Sequence, residues 1–125
     1  MTMGKLYGLF LRNMGYSRND AEEPDVQEEY RENALRWLNE GYVRAVERLK
    51  GSKAAEELSL MEDDADEPEE LAERLHTYLA DYAAARGQEL RGNPSIAAGL
   101  YAAYERAMTE AGKRKTAGFE AWSRL

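Results

Sequence analysis

Apolar and polar positions along this chain recur with the period of a helix. The clearest stretch is residues 30–49, where Leu35, Leu38, Tyr42, Ala45 and Leu49 follow one another at alternating steps of three and four. That spacing sets all of them on one stripe of a helix. Trp37 and Val43 fall off the stripe, so this helix is expected to be apolar on more than one side. It should begin near Pro24 and Asp25, with Asp25 as a cap and Glu28 and Glu29 at the positive end of the helix dipole. Lys50, Gly51 and Ser52 should end it.

Three further helices follow from the same pattern. The first covers about residues 4–14, with Leu6, Leu9, Phe10 and Asn13 on neighbouring turns and Gly15 as the stop. Polar residues 16–23 then read as a connection. Pro68 suits the first turn of another helix, with Glu69 and Glu70 behind it and Leu71, Leu75, Tyr78, Tyr82 and Ala85 on its inner face. Gly92-Asn93-Pro94 is a turn signal. Beyond it a last helix should run over about residues 94–111, with Ala97, Leu100, Tyr101, Tyr104, Ala107 and Met108 inward. A turn so short makes these last two helices antiparallel neighbours.

Residues 51–67 break the pattern. Glu62, Asp63, Asp64, Asp66 and Glu67 crowd together, and such a run repels itself and buries little, so a mobile or exposed loop is expected. Leu58, Leu60 and Met61 could still dock on the core. The expected fold is therefore all-α, a small antiparallel bundle of about four helices. Residues 1–112 form the helical domain, with the acidic loop at about 51–67, and residues 113–125 form a basic and aromatic C-terminal tail.

Composition changes this picture little. Ala, Leu, Glu and Arg outnumber Val and Ile, which favours helix over strand. At 125 residues the chain is long enough for one domain that buries about two thirds of its unfolded surface. A net charge of −7 argues against non-specific nucleic-acid binding. The absence of cysteine removes disulfides and thiolate metal sites. No apolar run is long enough for a membrane span, and the N-terminus lacks a small-residue cleavage site. A soluble intracellular protein is the starting expectation.

Catalytic chemistry is hard to find. There is no Gly-x-Ser-x-Gly and no phosphate-binding glycine loop. His76 is the single histidine, and Glu73-x-x-His76 is half of the pair that a carboxylate-bridged di-metal bundle requires twice. One chain cannot supply the rest, although a symmetric dimer could. The plainer expectation is a partly exposed helix histidine beside an unrelated glutamate. The run 61–67 lacks the central Gly and terminal Glu of a calcium loop. No catalytic, cofactor or metal residues are assigned. Several tyrosines fall on inward faces, and aromatic residues are also favoured at protein contacts. Trp37, Tyr42, Phe119 and Trp122 are the candidate interaction residues.

Three places carry a likeness to a known family. One is Leu38-Asn39-Glu40-Gly41-Tyr42-Val43-Arg44. Another is the acidic, proline-bearing segment with Pro68-Glu69-Glu70, followed by Leu75-His76-Thr77-Tyr78-Leu79 and Tyr82-Ala83-Ala84-Ala85. The third is Gly92-Asn93-Pro94 with Ala98, Tyr101, Tyr104 and Glu105. Over about residues 6–111 the chain resembles the small helical head–tail connector (adaptor) proteins of tailed bacteriophages and prophages. The resemblance implies a non-enzymatic virion protein, assembled in the bacterial host cytoplasm. It would form a homo-oligomeric ring beneath the portal and line the DNA exit channel without binding DNA specifically. The ring would also offer a docking surface to the next connector or tail component. The acidic loop and the C-terminal tail would order on assembly. The competing expectation is a cytoplasmic helical interaction module, a small regulatory adaptor with one partner. A di-metal enzyme built across a dimer ranks behind both.

Overall fold

The computed structural model describes residues 1–17 and 23–123, with side chains as far as residue 114. Every regular element among them is helical: α1 (Met3–Asn13), α2 (Pro24–Lys50), the short α3 (Ser52–Glu56), a single 3-10 turn (Glu73–Leu75), α4 (His76–Leu90) and α5 (Pro94–Ser123). The all-α bundle expected from the sequence is the fold. Among the described residues no helix is long and apolar enough to cross a membrane.

The helix ends follow local chemistry. Thr2 caps α1 by accepting from the Lys5 amide at 3.3 Å, and Gly15 takes a φ of +93° just after that helix, a conformation costly for any side chain. At the start of α2, Asp25 is not the cap. Glu23 holds that position without a side-chain bond, and Pro24 occupies the first turn, where its missing N–H is no loss. Gly92, at φ +79°, closes α4. Its amide donates to the Glu89 carbonyl at 3.0 Å, and the Asn93 amide donates to the Gln88 carbonyl at 2.9 Å.

The hairpin of α4 and α5 is antiparallel: Tyr82 meets Tyr101 and Tyr104 with ring centroids 5.6 and 5.1 Å apart, and Leu75 lines the same groove as Ala107. The long α2 packs across both. Tyr104 donates to the Gly41 carbonyl at 2.8 Å, and Arg48, about two turns further along α2, bonds Glu105 and Thr109. Gly41 lets α2 approach α4 closely, because a Cβ there would lie 2.9 Å from Cδ1 of Tyr82. The α1 helix covers the remaining face. Its Phe10 is fully buried against Tyr30 and Trp37, with centroids 5.9 and 6.0 Å away.

The buried face of α2 is broader than the single stripe. Ala34, Trp37, Leu38, Gly41, Tyr42, Ala45 and Val46 are buried, whereas Leu35 and Leu49 are only partly so. A central helix touched by α1, α4 and α5 needs apolar residues on more than one side, as the off-stripe Trp37 foreshadows.

Two boundaries differ from expectation. Pro68 does not start a helix. It is buried ahead of a turn at residues 69–70, and helical geometry begins only at Glu73. The last helix does not stop at Ala111 but continues through Gly112 to Ser123, so the start of the expected tail is helical. Gly112 lies alongside Leu49, 3.9 Å from its Cδ2. Thus α5 runs on for about three turns past the level at which α2 ends.

Candidate functional site

The acidic segment between α3 and α4 is not a loose loop. It is a strap bonded to the bundle at several points. Asn39, on α2, donates to the Met61 carbonyl and accepts from the Met61 amide, both at 2.9 Å. Met61 is thereby drawn into the core at 2% exposure, while Leu60 stays half exposed. The Asp66 carboxylate accepts from the amides of Glu62 and Asp63 at 2.7 and 2.8 Å. These two bonds hold its pKa below the ordinary carboxylate range. The strap's own carbonyls then cap α1. The Met3 amide donates to Asp66 at 2.7 Å and the Gly4 amide to Asp64 at 3.0 Å. Amides that would end α1 unpaired are satisfied in this way. The segment is exposed at Glu62, Asp63 and Asp64, as expected, and Met61 docks on the core, while its backbone also answers hydrogen-bonding needs elsewhere in the fold.

Beneath the strap lies a four-group clamp. The Met1 amine is 2.6 Å from Glu67 Oε1, 2.7 Å from Glu73 Oε1 and 2.9 Å from His76 Nδ1. Burial pulls the amine's pKa down, but the bonds to Glu67 and Glu73 outweigh it and the net shift is upward. The same bond to the amine lowers the pKa of Glu73. His76, expected to be partly exposed, is 3% exposed. Its Nε2 lies 3.0 Å from the Leu71 carbonyl oxygen. The Glu73-x-x-His76 pair does share a helical face, with Glu73 Oε2 3.4 Å from Nδ1.

Two open grooves flank these features. One, of about 460 Å³, is bordered by Glu57, Asp66, Glu67, Glu69 and Glu70, with Tyr42, Ala54 and Leu58 supplying apolar surface. In it the Glu70 amide donates to the Tyr42 hydroxyl at 3.0 Å, and Lys50 pairs with Glu70 at 2.9 Å. The other, of about 420 Å³, lies between α4 and α5. Arg74, Arg106 and Arg114, with Glu110 among them, border it around Leu75, Tyr78, Ala103 and Ala107. The molecule therefore offers one acidic groove and one arginine-bordered groove.

The four candidate interaction residues divide evenly. Trp37 and Tyr42 are 4% and 1% exposed, and both rings pack the chain's own core. The side chains of Phe119 and Trp122 lie outside the described residues. Sequence reasoning missed Asn39, whose place between Leu38 and the inward Gly41 already put an amide on a buried face. It also missed Arg91. That side chain donates to the Tyr30 hydroxyl and the Met14 carbonyl at 2.8 Å each, and to the Tyr16 hydroxyl at 2.5 Å. Nothing local in the sequence marks it, because all three partners are more than sixty residues away. No family model, curated protein or solved structure matches this chain.

Proposed function

We propose that this chain is a non-enzymatic connector subunit from the head–tail junction of a tailed bacteriophage or prophage. It assembles as a ring under the portal and lines the DNA exit channel. The observation that carries this reading is where the family-like residues sit. Leu38, Asn39, Gly41 and Tyr42 are buried on α2, and His76, Leu79, Tyr82, Ala83, Ala84 and Ala85 are buried on α4. Asn39 fastens the strap, Gly41 admits the Tyr82 ring, and His76 joins the clamp. The likeness therefore falls on residues that specify how this bundle closes, rather than on exchangeable surface.

Charge supports the same reading. Glu62, Asp63 and Asp64 are exposed along the strap, and the chain carries a net charge of −7. A wall of that sign does not grip the phosphates of passing DNA. The acidic and arginine-bordered grooves are different surfaces, as a head-to-tail ring contact between identical subunits requires. Past Gly112, α5 gives the subunit a helical extension with which to reach a neighbour.

The test begins with the DNA flanking the gene. Portal and capsid genes on one side and tail genes on the other are expected. The neighbouring portal protein, purified and mixed with this chain, should then show an added ring by electron microscopy. Flanking regulatory or metabolic genes, with a discrete dimer that ignores any portal, would replace this reading with the helical regulatory adaptor.

A further inference from the structure

The tautomer of His76 decides what the clamp can hold. A carbonyl oxygen only accepts, so the Nε2 contact with Leu71 at 3.0 Å fixes the ring proton on Nε2. In the neutral ring, Nδ1 is then left with a lone pair, and that lone pair faces Met1, Glu67 and Glu73. A histidine whose second nitrogen donates to a backbone carbonyl is held in the orientation metal-ligating histidines use. The ring is 3% exposed, so it cannot turn away without disturbing the core around it.

From this geometry we propose that His76 Nδ1, Glu67 and Glu73 form a mononuclear binding site for a divalent cation of the zinc class, with water completing its shell. One ligand atom each from Glu67, Glu73 and His76 lies within 4.8 Å of the others. The Met1 amine now sits among these three, 2.6–2.9 Å from each; a zinc-class cation in its place, at bond lengths of about 2.0–2.2 Å, draws the three ligand atoms inward by about 0.6 Å. Glu73 is 73% exposed and Glu67 45%, which leaves both carboxylates free to adjust. An imidazole nitrogen with two carboxylate oxygens suits zinc or cobalt better than the all-oxygen preference of calcium or magnesium.

The charges balance. Two carboxylates, a neutral imidazole and an ammonium carry −1. With a divalent cation in place of the ammonium, the two carboxylates are neutralised and the site carries zero. The ammonium is thus the cation the site already accommodates, and the metal takes over its contacts. The consequence is a staple that ties the strap to the turn that opens α4. It does not depend on the connector reading.

The test is a titration of the full chain with Co²⁺ and then Zn²⁺. One equivalent of Co²⁺ should develop the visible absorption of a tetrahedral site, and Zn²⁺ should displace it and raise the melting temperature. Glu73→Gln leaves the core untouched and should weaken binding at least tenfold, as should Glu67→Gln. His76→Ala should abolish the cobalt spectrum. Because that variant risks misfolding, the two glutamine variants decide the matter. No stoichiometric cobalt spectrum, or wild-type affinity in Glu73→Gln, overturns the site.

Discussion

At the scale of single residues, glycines separate packing from propensity. Gly41 and Gly99 both lie inside helices, where Ala is intrinsically better by about 0.8–1.0 kcal/mol. At Gly99 a Cβ meets nothing within 4 Å, so Gly99→Ala should raise stability by up to about 1 kcal/mol. At Gly41 the added Cβ would lie 2.9 Å from Cδ1, 3.0 Å from Cγ and 3.2 Å from Cβ of Tyr82. The near part of that side chain cannot swing aside, and its hydroxyl is tied to Glu40 at 2.5 Å. Overpacking costs about 1–3 kcal/mol, which outweighs the gain in propensity. Urea unfolding should therefore move the two variants in opposite directions. A stabilised Gly41→Ala would mean that α2 and α4 are further apart than described.

At the scale of elements, the strap depends on one amide side chain. Asn39→Ala leaves the buried N–H and C=O of Met61 without partners, at about 1–3 kcal/mol for each orphaned group. A loss of about 2–4 kcal/mol is expected, with amide exchange at Met61 accelerated more than at Leu79 in α4. Unchanged exchange at Met61 would show that the strap is held elsewhere. Acid should loosen the same segment. The pKa of Asp66 is lowered in the fold, so its contribution is present above the unfolded value and is lost as pH falls through the lower folded one.

What the sequence discloses divides along the same line between local and distant bonding. The spans of α1 and α2 and the turn at Gly92 are legible because capping, periodicity and glycine conformation act within a few residues. The exposure of the strap is legible but its anchoring is not, because its anchors lie far off in sequence. Asn39 reaches Met61 across twenty-two residues, and the Met3 and Gly4 amides reach Asp66 and Asp64 across about sixty. Pro68 misled for a related reason: a proline compatible with a helix start is equally compatible with the buried turn it occupies. The burial of His76 is not legible from Glu73 and Arg74 just before it, because the groups that enclose it come from the strap and the N-terminus.

At the scale of the whole molecule, the core is one cluster that draws on α1, α2, α4, α5 and the strap. A chain of this size with a single core should unfold in one transition. Arg91 offers a way to test that unity, since its guanidinium joins the end of α4 to Tyr30 on α2 and to Met14 and Tyr16 after α1. Its hydrogen bonds are charge-assisted, worth about 1.5–3 kcal/mol each when well shielded. These are partly exposed, so Arg91→Ala should cost about 1–3 kcal/mol in total. For a domain of this length that corresponds to a fall in melting temperature of about 3–15 °C. The form of the transition matters more than its midpoint. Near-UV circular dichroism reports the aromatic cluster of Phe10, Tyr30 and Trp37, and far-UV dichroism reports the helices. Coincident curves, both displaced by Arg91→Ala, are expected if α1 is integral to the bundle. An early near-UV transition in the variant, with the helical signal retained, would instead mark α1 as a separately unfolding arm hinged at Gly15. Assembly on a partner would then have to be considered as what fastens it.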